Sequence, residues 1–82
     1  MRYAIIIEKA KKNYSAYCPD VPGCVATGAT VAETVSTMRE ALAFHFEGML
    51  EHGEKVPDPT SLVEYIDVTL PTAKLPRARK AS

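Results

Sequence analysis

Residues 14–28 read YSAYCPDVPGCVATG, and an amphipathic pattern follows over Val31–Glu51. Side chains in Tyr14–Cys18 alternate between two faces, which is typical of a β-strand. Residues 22–23, Pro-Gly, suit the centre of a type II turn, because proline presets the first backbone angle and glycine accepts the positive second one. The pattern therefore predicts a strand, a turn, a returning strand over residues 24–27, and a helix.

The helix has a clear start and one apolar face. Thr30 followed three residues later by Glu33 is a capping-box signature, in which each side chain accepts a hydrogen bond from a free backbone N–H at the helix start. Gly53 is well placed to end the helix in a left-handed conformation. Apolar residues recur at spacings of three and four and form one stripe that must be buried: Val31, Val35, Met38, Leu42, Phe46 and Met49.

Two further strands are predicted outside this core. Residues 3–7 are mostly β-branched, and Asn13 offers a turn, so they predict a hairpin with Tyr14–Cys18. Residues 63–70 are also β-branched and aromatic, and Pro71 stops them. The order β-β-β-α-β, with a long helix over one sheet face, predicts an α+β two-layer sandwich. Its other face stays uncovered, so we expect a homo-oligomer, dimer or tetramer.

These motifs resemble the HicB family of bacterial antitoxins. The resemblance rests on the acidic-apolar-Pro-Gly-Cys run Asp20-Val-Pro-Gly-Cys24, on Gly28 at the end of the next strand, and on the long helix that ends near a glycine and a proline. It covers Arg2 to Leu70 and implies a degenerate RNase H-like fold. Many HicB proteins carry a further DNA-binding domain, and this chain stops at Ser82, so direct DNA binding is not expected.

Charge divides the chain into two parts. Residues 1–71 hold all ten acids and six bases, a net −4, and predict one domain that buries only about 60% of its unfolded surface. Residues 72–82 form a basic tail, which is either a solvated, disordered terminus or a nucleic-acid contact through Lys74, Arg77, Arg79 and Lys80. No apolar run approaches the ~18 residues of a membrane span, so a cytoplasmic location is expected.

The sequence shows no pattern of a catalytic centre. Cys18 and Cys24 are expected to be buried thiols, with a bridge across the loop as the alternative, and no suitably spaced histidine completes a zinc site. His45 and His52 lie ~10 Å apart along the helix. An RNase H-like nuclease would need converging carboxylates, and the candidates do not converge: Glu8, Asp20, Glu40 and Asp67. We expect no enzyme activity, metal or cofactor.

The resemblance implies an antitoxin whose partner is a HicA-like toxin, a small ribonuclease that cleaves mRNA. Neutralisation would occur by stoichiometric binding. The acidic helix face, which holds Glu33, Glu40, Glu47, Glu51 and Glu54, is either a solvated surface or a complement to the toxin's basic RNA surface. The expected contacts are Tyr17, Asp20, Val21, Pro22, Glu40, Glu47 and Glu51. The alternative is an orphan homo-oligomeric module that contacts RNA or DNA through its tail.

Overall fold

A computed structural model describes residues 1–71 and shows three strands followed by one helix. The strands are β1 (Ile6–Lys9), β2 (Tyr14–Cys18) and β3 (Val21–Gly28), and the helix is α1 (Val31–Glu51). The strands form an antiparallel sheet in the order β1-β2-β3, so β1 and β3 are its edges. The helix packs mainly on β3 and β2. This architecture confirms the predicted α+β fold class, with a long helix over one face of the sheet.

A bulge in β3 changes the predicted position of the turn. Tyr17 lies opposite Val25, but Cys18 lies opposite Val21, so the chain reverses at residues 19–20 and residues 22–24 belong to β3. The predicted turn at residues 22–23 is therefore wrong, although Gly23 does adopt a positive φ of 86°. The bulge lets both Val21 and Cys24 point into the core, which regular alternation over a three-residue spacing would not allow.

The core joins small side chains of the sheet to larger ones of the helix. The sheet contributes Ala16, Cys18, Val21, Cys24 and Ala26, and the helix contributes Met38 and Leu42. Small residues on the sheet let the helix axis lie close to it, and burial of this apolar surface is the main stabilising contribution. The predicted alternation in β2 is confirmed, because Ala16 and Cys18 are buried while Tyr17 is exposed.

Both helix ends have the predicted caps. The Glu33 amide donates to Thr30 Oγ1 at 3.1 Å, and the Glu33 carboxylate accepts from the Ala29 amide at 3.2 Å, so the capping box closes one residue earlier than its usual form. At the other end Gly53 has a φ of 73°, and the Glu54 amide donates to the Met49 carbonyl at 2.8 Å. The helix therefore starts at Val31 as predicted.

Gly28 is the point of closest approach between sheet and helix. A Cβ atom added at this position would lie 2.6 Å from Thr34 Oγ1 and 2.8 Å from the Thr34 backbone nitrogen. Thr34 cannot move away, since it is fully buried and its hydroxyl donates to the Thr30 carbonyl at 2.7 Å. Glycine is required at position 28 because there is no room for a side chain between the sheet and Thr34.

The segment after the helix is fastened to the body by Asp20. Its Oδ2 accepts hydrogen bonds from the backbone amides of Thr60 and Ser61, both at 3.0 Å. Its Oδ1 accepts hydrogen bonds from the hydroxyls of the same two residues, at 3.1 and 2.8 Å. The Ser61 amide first, and then the Ser61 hydroxyl, hold the pKa of Asp20 below its usual 3.8. The Tyr3 hydroxyl donates to the Pro57 carbonyl, and desolvation raises its pKa, so it stays a donor at neutral pH.

The predicted fourth strand over residues 63–70 does not form. The chain there has no regular secondary structure and pairs with neither edge of the sheet in the described residues, and every side chain from residue 62 to residue 71 is exposed. Strand propensity is satisfied only when a neighbouring strand supplies hydrogen bonds, and beyond Ser61 the chain leaves the body. We call residues 62–71 the arm.

Gly28→Ala is expected to lower the free energy of unfolding by about 1–3 kcal/mol, because the added methyl meets fixed backbone atoms. Chemical denaturation measures this change. Gly48→Ala is the matched control: no described atom lies within 4 Å of the methyl that it adds, so a helical alanine there is expected to stabilise by up to ~1 kcal/mol. Equal stability of Gly28→Ala and the parent would contradict the close approach.

Asp20→Asn is expected to speed hydrogen exchange of the Thr60 and Ser61 amides, measured by NMR, while Asp58→Asn on the same segment leaves it unchanged. The folded pKa of Asp20 is lowered, so this anchor is fully present above pH 3.8 and is lost as the pH falls through the lower folded value. Protection that survives Asp20→Asn would mean that other contacts hold the segment.

Candidate partner-binding surface

The sheet face opposite the helix carries a row of apolar side chains. Ile6 pairs with Tyr17, and Tyr17 pairs with Val25, so the three lie side by side across all three strands. Val25 is 66% exposed and Tyr17 is 42% exposed. Side chains alternate along a strand, so burying Ala16 and Ala26 under the helix necessarily turns their neighbours outward. This row is a contiguous uncovered apolar surface of the kind that contacts partners.

A groove continues from this row around the free edge of β3. It has a volume of about 480 Å³ and lies between residues 23–25 of the sheet and the second half of α1, where Phe44, His45, Gly48 and His52 line it. The ring of Phe44 is 77% exposed. Apart from the helix's own backbone, no described atom lies within 4 Å of a Cβ atom added at Gly48, so the groove is open at this position.

The outer face of α1 borders the same groove. Glu40, Glu47 and Glu51 are all exposed, and Phe44 lies one helical turn from Glu40 and Glu47. The helix ends at Glu51, so Glu54 lies beyond it. Glu54 was expected on this face and is not part of it. An exposed aromatic ring among carboxylates combines apolar contact area with negative charge.

Some of the predicted contact residues are exposed and available to a partner, and others are buried or already hydrogen-bonded. Tyr17 belongs to the apolar row, and Pro22 and the three helix glutamates are exposed but do not line the groove. Val21 is only 1% exposed and belongs to the core, because the chain reverses before it, so it cannot offer its side chain to a partner. Asp20 is already engaged by four hydrogen bonds from Thr60 and Ser61. The tail residues Lys74, Arg77, Arg79 and Lys80 lie outside the described residues.

Val25 and Phe44 were missed by the sequence analysis. Phe44 falls outside the stripe of buried residues and inside the acidic sector of the helix, and an aromatic residue on an otherwise charged helix face is the signal that identifies it. Val25 was assigned to a strand, but its exposure depends on the register of the bulged β3. That register cannot be obtained from local sequence alone.

The reactive residues are all accounted for by local structure. Cys18 and Cys24 are free and buried, and burial raises the pKa of Cys24 above 9.0, which disfavours the reactive thiolate. His52 Nδ1 donates to the Gly48 carbonyl at 2.8 Å and so caps the helix end, while His45 lies beside the ring of Phe46. Across residues 1–71 no three His, Cys, Asp or Glu side chains are grouped to hold a metal ion.

Among residues 1–71, no helix combines the length and the apolar character that are needed to cross a membrane.

Proteins with similar sequences occur in a phage and in an archaeon. A protein in the rep-hol intergenic region of Haemophilus phage HP1 is 43% identical over 82% of this chain, and the match spans half of the phage protein's length. The UPF0150 protein Ta0767 of Thermoplasma acidophilum is 34% identical, and the match covers 70% of this chain and 84% of that protein.

A solved HicA3 and HicB3 toxin-antitoxin complex contains a chain with the same fold. That chain superposes with a TM-score of 0.64 and 34% identity, over 72% of this chain and 69% of that one. Residues 3–73 match the family described as HicB_like antitoxin of bacterial toxin-antitoxin system. Because this match covers most of the sequence, and the three-stranded sheet with its covering helix agrees with it, the chain belongs to the HicB-like antitoxin family.

Proposed function

We propose that this protein is the antitoxin of a type II toxin-antitoxin pair and neutralises a HicA-like, mRNA-cleaving toxin by stoichiometric binding. The observation that carries the proposal is the continuous exposed surface formed by Tyr17, Val25 and Phe44, bordered by Glu40 and Glu47. The similarity to a chain of a toxin-antitoxin complex supports it. The mechanism is binding and not catalysis.

Charge explains why such a surface would compete with RNA. A ribonuclease must carry basic side chains where it holds the phosphates, and the carboxylates of α1 would occupy the same positive region. The described residues carry ten acids and six bases, so the whole body has a net charge of −4 and is attracted to a basic partner at long range. The same negative charge disfavours binding of the body to DNA or RNA.

Apolar contacts would supply most of the affinity. Exposed charge pairs contribute little on their own, whereas aromatic side chains that become buried at the centre of an interface dominate binding energies. Phe44 lines the groove at the β3 edge, and Tyr17 lies one strand further in, beside Val25, so a partner that covers both this edge and the apolar row buries both rings. We therefore place the centre of the toxin contact at β3 and its acidic rim on α1.

We also propose that the protein acts in the cytoplasm, where mRNA is cleaved, and that it forms a homo-oligomer. The alternative function, an orphan homo-oligomeric module that uses Lys74, Arg77, Arg79 and Lys80 to contact RNA or DNA, shares this self-association. The exposed apolar arm favours self-association in either case.

The proposal is tested by co-purifying the chain with the product of each small reading frame adjacent to its gene. RNA cleavage by that product is then measured with and without the chain. A tight complex in which cleavage falls to background when the two proteins are about equimolar is expected for stoichiometric masking. A stable complex in which RNA is still cleaved, or the lack of a complex with any neighbour, contradicts it.

Glu40→Lys/Glu47→Lys is expected to slow association with the toxin by at least about tenfold at low salt, because the steering charge is reversed. Association rates at increasing salt measure the effect, and the difference from the parent should shrink as salt screens it. Glu8→Lys/Asp58→Lys makes the same change in net charge on exposed sites away from α1. Equal slowing in both variants would show that only net charge matters.

Phe44→Ala is expected to weaken toxin binding by about 2 kcal/mol or more, roughly a thirtyfold rise in Kd, with little change in folding stability because the ring is 77% exposed. Isothermal titration calorimetry and denaturation measure the two quantities. Leu50→Ala is the control, since Leu50 is 65% exposed on the same helix but does not line the β3 groove. Unchanged Kd in Phe44→Ala would remove the groove from the toxin contact.

A further inference from the structure

The arm has the side-chain pattern of a strand but no strand beside it in the described part of the chain. Leu62, Glu64, Ile66, Val68 and Leu70 alternate onto one face, and four of these five are apolar. Ile66 is 82% exposed and Leu70 is 81% exposed. An extended apolar segment in contact with water is unfavourable and presents unpaired backbone groups, so it is expected to add to the edge of a sheet.

An apolar groove along the β1 edge is left open by residues 1–71. It has a volume of about 690 Å³ and lies between β1, with the residues that precede it, and the inner face of α1. Tyr3, Ile5 and Ile7 line the sheet side, and Leu42 and Phe46 line the helix side. These side chains pack against the core yet most remain partly exposed, so the core is open along this edge.

The arm and the groove complement each other in polarity and in backbone pairing. Within the described residues the groove offers an unpaired strand edge beside an apolar floor, and the arm offers an exposed segment with strand-like alternation and one apolar face. Strand addition of this kind satisfies the backbone hydrogen bonds and inserts alternate side chains into the groove. One chain carries both halves of the interface.

Two anchors hold the segment before the arm, and no residue of the arm lines its own groove. The bond from Tyr3 to the Pro57 carbonyl and the Asp20 hydrogen bonds hold the chain beside the start of β1, and every described residue after Ser61 is exposed. A second copy related by a two-fold axis would receive this arm and return its own, so that each interface is made twice.

We propose that two copies of this chain exchange their arms, each arm pairing with β1 of the other copy and covering its groove with Leu62, Ile66, Val68 and Leu70. This inference rests on the proposed homo-oligomer and identifies the surface that forms it. It leaves the β3 edge, with Phe44 and Val25, free for a different partner.

The test is the mass of the full-length protein in solution, measured by light scattering after size-exclusion chromatography. The parent is expected to be a dimer or a pair of dimers, and Ile66→Lys/Val68→Lys is expected to weaken dimerisation by at least about 100-fold, since the lysines would enter an apolar groove. Tyr65→Lys/Thr69→Lys is the matched control, because it adds the same charge to the opposite face of the arm and should stay dimeric.

Hydrogen exchange of the unsubstituted protein tests the proposal without the risk that a variant misfolds. The Ile66 and Val68 amides are expected to be protected at high protein concentration and to lose that protection on dilution. Protection that is independent of concentration would mean that the arm folds back on its own groove, which overturns the proposal. A dimer that survives Ile66→Lys/Val68→Lys overturns arm exchange alone, whereas a monomeric parent also overturns the homo-oligomer. Toxin neutralisation is tested separately by RNA cleavage.

Discussion

The close contact between Gly28 and Thr34 fixes how the helix lies on the sheet, and most other features of the molecule depend on it. Thr34 is held by its bond to the Thr30 carbonyl, so the end of β3 and the first turn of α1 behave as one rigid unit. A helix that starts so close to the end of β3 packs over β3 and β2 on one face and leaves the β1 edge of that face open. That face can hold only small residues such as Ala16 and Ala26, and the opposite face remains uncovered.

A three-stranded sheet under a single helix leaves two edges as well as one face in contact with water. The β1 edge borders an apolar groove, and the arm of the same chain supplies a matching apolar strand. The β3 edge borders a groove with an exposed aromatic ring, Phe44, beside a row of carboxylates. The first combination favours another copy of the chain, and the second favours a basic partner. A small antitoxin could in this way associate with itself and bind a toxin simultaneously.

Local signals in the sequence predicted those parts of the fold that local interactions determine. The capping residues Thr30 and Glu33 located the helix start, and alternation located β2. The position of the chain reversal was mispredicted because the β3 bulge follows from packing Val21 and Cys24 into one core. The fourth strand was mispredicted because the strand propensity of residues 63–70 does not show which other strand they pair with. Val21 was expected at the surface because the turn was predicted after it and not before it. Exposed Phe44 was overlooked because no pattern of buried residues includes it.

We propose that the toxin binds at the β3 edge and the outer face of α1. Hydrogen exchange of the chain, free and in complex with the product of the adjacent toxin-like reading frame, tests this most directly. The claim predicts new protection in β3 and in the helix around Phe44 and Gly48, with no change in the arm or β1. New protection confined to the arm and β1, with β3 unchanged, would contradict it and would place the toxin on the opposite edge of the sheet.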